Sequence, residues 1–305
     1  MIKYILRRLL YSVFVLFGVA TIVFFLTRLT GDPVAILLPA DATIEQIRET
    51  TERLGLDKPL GTQYGVFIRK LLTGDLGTSI RYRDSTFYLI MERMPSTLML
   101  AGTAIVLALI IAIPIGILAA LRRGSTADRL LMVLSVLGQA MPVFWIGILM
   151  IILFSVNLRW LPTGGYGGVK HLILPAIALG IRFMAITARL LRSSLIEVMG
   201  ADYIRTSRAK GLREKSVVIV HALRNSMLPV VTVIGLQMGN LLGGSVVTET
   251  VFAWPGVGQM LVQAITYRDY PLVQASIILL AGVFVLINLT VDIIYVFIDP
   301  RISYT

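Results

Sequence analysis

Residues 97–121 read TLMLAGTAIVLALIIAIPIGILAAL, 25 positions without a charged side chain. A helix needs about 20 predominantly apolar residues to cross the hydrocarbon core of a bilayer. Barrel strands are about 10 residues long and alternate apolar with polar positions. This stretch is apolar all round, so it predicts a helix in lipid. Working outward, five more stretches of the same kind run over Leu9–Thr27, Leu130–Val156, His171–Leu190, Met227–Val247 and Leu272–Ile298. The expectation is an all-α integral membrane protein with six transmembrane helices. Composition agrees: 56% of the 305 residues are hydrophobic and 15% are charged, against about 25% charged in an average soluble domain.

Lys3, Arg7 and Arg8 precede the first span as they would in a signal peptide. The apolar run is longer than an h-region and no A-x-A site follows, so a retained anchor is expected. The chain has no cysteine and two histidines, His171 and His221. That excludes disulfides, thiolate metal sites and cysteine nucleophiles, and a histidine-based metal site would need most of its ligands elsewhere.

The net charge of +11 raises the question of nucleic acid, which the placement of the charge answers. Short loops on one side hold Arg122, Arg123 and Arg129, then eight Lys and Arg between 189 and 226. Those on the other side hold only Arg159, Lys170 and Arg268. Long loops hardly count in the positive-inside rule, so both termini are expected in the cytoplasm. The basic balance reads as an orientation signal, with no nucleic-acid partner.

The long outer segment 29–96 looks partly soluble. Thr43 and Gln46 form a capping-box pattern and Gly55 suits a helix C′ position, predicting a short helix over 44–54. A second amphipathic piece is expected at Gln63–Leu72. The cytoplasmic segment 189–226 is rich in helix formers and predicts two short helices broken near Lys210-Gly211, with Gly211 supplying a positive φ. A basic helical loop of this kind suits docking to a soluble partner, or equally a face turned to anionic lipid.

Asp202-Tyr203-Ile204-Arg205-Thr206-Ser207-Arg208-Ala209-Lys210-Gly211-Leu212, then His221-Ala222-Leu223-Arg224-Asn225 and Leu228-Pro229, resembles the coupling loop of dipeptide/oligopeptide ABC importer permeases. The opening YILRRLL and FFLTRLTGDP look like the start of the B-type (DppB/OppB) subunit. Gly74-Asp75-Leu76-Gly77-Thr78-Ser79, Leu161-Pro162-Thr163-Gly164-Gly165, Glu249 through Gly258, and Arg268-Asp269-Tyr270-Pro271 follow in matching order. One departure stands out. Where importer permeases in general carry Glu-Ala-Ala before the glycine, this chain has Arg205-Thr206-Ser207, which resembles the peptide branch and not the sugar branch.

The resemblance implies a type I ABC importer permease fold in a bacterial inner membrane. It implies an anchor and extracytoplasmic segment at 1–93, a five-helix transmembrane domain at 94–298 and a cytoplasmic tail at 299–305. The implied partners are a second homologous permease subunit, two cytoplasmic ATP-binding subunits that hold ATP and Mg, an extracytoplasmic solute-binding protein, and membrane lipid. The chain has no G-x-x-x-x-G-K-[ST] loop of its own, so it is expected to be a transport subunit without catalytic residues, cofactor or metal.

Coupling is then assigned to Asp202, Tyr203, Arg205, Thr206, Arg208, Ala209, Lys210, Gly211 and Leu212. Arg205 and Arg208 would offer guanidinium hydrogen bonds, while Ala209 and Gly211 would allow close approach. Arg182 lies mid-span, where an arginine costs about 2.5–3.5 kcal/mol on insertion scales. It is a candidate for the translocation pathway with Gln139, Gln237 and Asn240; backbone or interhelical hydrogen bonding is the alternative for all four. Gly235, Gly239 and Gly243 form a small-residue stripe for helix packing, within the chain or against the second permease. Pro114, Pro142 and Pro175 predict kinks. The 249–271 loop is expected to re-enter or plug the outer mouth, with Trp254 otherwise a membrane-belt residue. A gradient-driven transporter would place acids at midplane, and none lies there. Peptides are the expected cargo, with glutathione, a nickel chelate or another small solute as alternatives.

Overall fold

The computed structural model describes residues 2–29, 34, 38 and 42–298. The end of the N-terminal signature at 30–33 and the tail 299–305 lie outside the described residues. The described chain is almost wholly helical: α1 Ile2–Leu29, α2 Ile44–Leu54, α3 Leu60–Leu72, α4 Thr86–Leu121, α5 Thr126–Ala140, α6 Val143–Met150, α7 Val169–Met199, α8 Asp202–Ala209, α9 Glu214–Ser216, α10 Leu223–Val251, α11 Val257–Thr266 and α12 Tyr270–Ile298. Five single helices are long and apolar enough to span a membrane, and up to six spans result if the bent pair of α5 with α6 and its π-helical continuation Ile151–Asn157 is counted as one.

That bent pair replaces the single third span expected at Leu130–Val156, and its break falls at Pro142, where a kink was expected. Its two helices meet at 110° across Met141-Pro142. Pro142 has no N–H and crowds the residue before it, pushing Met141 to extended geometry at ψ 138°. Pro114 and Pro175 stay inside unbroken helices. The helices also overrun the apolar windows. α4 begins at Thr86, α7 continues to Met199, and the expected second cytoplasmic helix is the root of α10, joined to α9 by a π-helical segment Val217–Ala222. Hydropathy marks the part of a helix that meets lipid, while its end is set by where hydrogen bonding and packing stop. Leu191, Leu195, Val217 and Ala222 are all buried beyond those windows. In the 29–96 segment, α2 forms with both halves of its capping box, and Gly55 adopts φ 67° as its cap.

The described residues divide into two compact units. One comprises the chain through Ser96 with Pro255–Leu286, so α11 and the first half of α12 join the anchor segment and not the spans that precede them. Its core packs Ile90 and Met94 against Val257, Met260 and Leu272. At its centre the buried Asp269 carboxylate accepts from Ser79 Oγ at 2.5 Å, from the N–H groups of Ile80 and Arg81 at 3.2 and 3.1 Å, and from Leu272 N–H at 3.3 Å. The Gly-Asp-Leu-Gly-Thr-Ser and Arg-Asp-Tyr-Pro motifs are thus one hydrogen-bonded knot.

The other unit comprises Thr97–Trp254 with the chain from Ile287. Here α4 and α7 pack closely through small residues: a Cβ on Gly180 would sit 2.8 Å from Ala104 O, and one on Gly116 would sit 3.0 Å from Ala188 O. The Leu-Pro-Thr-Gly-Gly segment grips the turn after α10. Gly165 N–H donates to Phe252 O at 2.8 Å, and Tyr166 lies against Trp254 with ring centroids 5.1 Å apart. Ala253 takes φ 49°, and this left-handed step accompanies burial of Trp254 beside Leu100, Leu179 and Leu241. Trp254 is therefore a core residue and not a membrane-belt residue. A Cβ on Gly164 would fall 2.2 Å from Phe252 O. Gly164→Ala is expected to lower stability by about 1–3 kcal/mol, read as a depressed Tm of the detergent-solubilised chain. An unchanged Tm would refute the grip.

Candidate functional site

The cytoplasmic-type motif folds into a short helix held by its neighbours. After α7 the chain turns at Gly200 and enters α8 from Ala201 in extended geometry. One side of α8 is apolar: Ile204 is fully buried among Leu195, Val217 and Ala222, with Ile117, Val198 and Met199 around them. A second tie is polar, where Asn225 Nδ2 donates to Tyr203 Oη at 2.7 Å. α8 is thereby seated on the end of α7 and the root of α10. It ends at Lys210, and Gly211 adopts φ 76° with its N–H donating to Arg208 O at 2.9 Å. This is the left-handed step at which glycine is favoured. Nothing lies within 4 Å of where a Gly211 Cβ would be, so within this chain the glycine serves the turn and not close packing.

The remaining motif residues form the outward face. Asp202, Arg205, Thr206, Ala209, Lys210, Gly211 and Leu212 are exposed. The two arginines differ. Arg208 is engaged by Glu214 through Nε to Oε2 at 3.1 Å and NH2 to Oε1 at 2.7 Å, and that hydrogen bonding raises its pKa. Arg205 reaches only Asp202, at 3.3 Å, with both side chains in solvent. An exposed pair of this kind contributes little, so the Arg205 guanidinium stays in solvent, while Arg208 closes the 208–214 turn.

Of the polar residues inside the spans, Arg182, Gln237 and Asn240 line one cavity of about 400 Å³ with Leu179 and Phe183. Asn240 Nδ2 donates to Gln237 Oε1 at 3.2 Å. No carboxylate pairs with Arg182 among the described residues. Gln139 is placed elsewhere and accepts from Arg189. In the glycine stripe, Gly235 and Gly239 are buried, whereas Gly243 faces open space and it is Gly244 that meets Leu179.

Besides Asp269, two buried acids escaped the reading of the sequence as individual residues. Asp128 takes a bidentate bond from Arg192, at 2.6 and 2.7 Å, and a third from Gly124 N–H at 2.9 Å, tying the start of α5 to the end of α7. Glu249 is fully buried and accepts from Thr97 Oγ1 at 2.8 Å. The Asp128–Arg192 pair is 64 positions apart and leaves no local pattern. Glu249 was visible only as the first residue of a loop motif.

Comparison with known proteins agrees with this architecture. The family model for the binding-protein-dependent transport system inner membrane component matches residues 112–304, and its N-terminal companion matches 1–101. The dipeptide transport system permease protein of Alkalihalophilus pseudofirmus is 41% identical over the full length of both chains. The di/tripeptide permease of Pseudomonas aeruginosa is 42% identical, covering all of this chain and 99% of that one. The glutathione transport system permease protein of Salmonella paratyphi A is 45% identical, again over the whole of both. Among solved structures, an inward-facing form of the MetNI methionine ABC transporter aligns with a TM-score of 0.57 at 20% identity, covering 70% of this chain and 97% of that one. Full-length identity, the two family matches and the shared helical fold lead to one conclusion: the chain belongs to the binding-protein-dependent transport inner-membrane component family and is a multi-pass bacterial inner-membrane permease subunit of an ABC importer.

Proposed function

We propose that this subunit forms half of a translocation path for short peptides and is driven by cytoplasmic ATPases that grip α8. The observation that carries the reading is the seating of α8: an exposed eight-residue helix riveted through Ile204 and Tyr203 to two long helices. A push on a rigid peg so placed moves α7 and α10 as bodies. Arg205, Lys210 and Leu212 are the residues offered to the ATPase, which supplies the ATP and Mg sites. The termini and α8 then face the cytoplasm, as the basic short loops favour, and a solute-binding protein delivers cargo on the opposite side to this chain and its second permease.

The cargo class follows from the relatives, whose names are dipeptide, di/tripeptide and glutathione permeases, and from the Arg182 cavity. A guanidinium without an acid partner among the described residues, in a cavity lined by two amides, suits a free carboxylate, which every such peptide carries. One observation favours glutathione in particular. The alignment with the glutathione permease spans 305 positions, the length of this chain, whereas that with the dipeptide permease needs 333.

Three outcomes are expected in proteoliposomes containing the whole importer. Gly211→Trp lowers peptide taken up per ATP hydrolysed at least tenfold, while Gly211→Asn, which tolerates a positive φ, retains most of it; equal behaviour of the two would remove the turn from the coupling path. Ile204→Ala removes a buried anchor worth about 2–5 kcal/mol, so protease cuts 200–213 faster and coupling falls with it. Intact coupling in a visibly loosened loop would refute the peg. Arg182→Ala slows uptake of peptides with a free C-terminal carboxylate more than of their amides; equal slowing of both would exclude a carboxylate contact.

A further inference from the structure

A second polar cavity lies in the unit that contains the anchor helix. Arg28, in the last turn of α1, together with Lys58, Gln63, Lys70 and Asp75, lines a space of about 200 Å³ whose apolar wall includes Phe67 and Ile278. Three cations face one acid. Asp75 is shared with Lys70 at 3.8 Å and with Gly77 N–H at 2.8 Å. The Arg28 guanidinium lies 3.8 Å over the Phe24 ring and donates through Nε to Gln63 at 3.1 Å, with no carboxylate paired to it among the described residues. Lys58 also lines the cavity, and its backbone carbonyl accepts from Gln63 Nε2 at 2.8 Å. The cavity is left with an excess of two positive charges, fixed on one side by a stacked and hydrogen-bonded guanidinium.

Its depth in the membrane follows from α3. Tyr64 Oη meets Thr21 Oγ1 at 2.8 Å, and the Tyr64 and Phe67 rings pack on Phe24 at centroid distances of 5.2 and 5.3 Å. Thr21 lies about 10 Å along α1 from Arg28 at the usual helical rise. α3 is therefore held across the last turns of the anchor span, at the level where an amphipathic helix enters the headgroup and acyl boundary. Leu60, Val66 and Leu72 of the same helix are exposed, as fits a surface in contact with lipid. The cavity is smaller than the roughly 300–1,000 Å³ of pockets that engulf a soluble ligand.

From this juxtaposition we infer that the Arg28–Lys58–Lys70 cavity binds the phosphate of an anionic phospholipid headgroup, with its acyl chains along the apolar wall and α3. The inferred lipid pins the anchor segment to the outer leaflet, independently of which solute is carried.

The test uses the purified full-length chain, stripped of lipid and offered equal amounts of phosphatidylglycerol and phosphatidylcholine with the same acyl chains. Retained lipid is measured by mass spectrometry. Wild type is expected to enrich phosphatidylglycerol, and Lys58→Glu/Lys70→Glu to lose at least about fivefold of that enrichment, since each basic residue near a surface contributes about 1 kcal/mol toward anionic lipid. The charge-matched Arg122→Glu/Arg123→Glu control is expected to keep it. No enrichment by wild type, or an equal loss in the control, would overturn the site. A third arm adds millimolar inorganic phosphate. Retention of phosphatidylglycerol supports the lipid headgroup, whereas full displacement by phosphate that itself stays bound without lipid would reassign the cavity to a soluble anion.

Discussion

Lipid has no hydrogen bonds to offer, so each polar group that this chain takes away from water must be answered by the protein itself. That constraint explains where the structure departs from plain helix. The break at Pro142 is accommodated by bending the chain, with Met141 N–H donating to Leu137 O at the end of α5. The turn after α10 places its amides and carbonyls on Gly165 and on Glu249 O. Asp269 collects four donors, and Asp128 three. Buried carboxylates are stable only when paired or well hydrogen-bonded. Here they act as rivets, and each lies at a junction of segments far apart in sequence.

The same logic separates the working surface from its mounting. α8 keeps one apolar side chain, Ile204, and one hydroxyl, that of Tyr203, for its own chain. Nearly everything else in the motif is turned outward. A coupling element, as α8 is proposed to be, has to be exposed to be gripped and anchored to transmit force, and its eight residues divide between an exposed and a buried face. Arg208 looked equivalent to Arg205 in the motif, yet its ion pair with Glu214 makes it part of the mounting. In the anchor unit the reverse holds: among the described residues no carboxylate pairs with Arg28 or Lys58, which line one cavity.

Much of this was legible from residues alone, for physical reasons that differ from element to element. The capping box at Thr43 and Gln46 and the left-handed step at Gly55 and Gly211 are local, encoded within four positions, and they formed as read. Arg182, Gln237 and Asn240 were singled out separately for their cost in lipid, but only packing of α7 against α10 brought them to one cavity, and packing of α5 against α7 took Gln139 to Arg189 instead. Trp254 read as part of a re-entrant or plugging loop, or else as an interfacial aromatic; the left-handed Ala253 before it, which no composition announces, accompanies its burial.

What the amino-acid order determined by itself was the class of solvent, the number and rough position of the spans, the basic bias of one set of loops, and the family, since these rest on apolar run length, charge placement and contiguous motifs. What tertiary structure alone decided was where helices end, that the third span folds back on itself at 110°, that Pro255–Leu286 belongs with the anchor segment, and which polar residues meet. Those outcomes depend on pairs such as Ser79 with Asp269 or Thr97 with Glu249, 190 and 152 positions apart. Their energy exists only once the chain has closed the distance, so no window of sequence contains it.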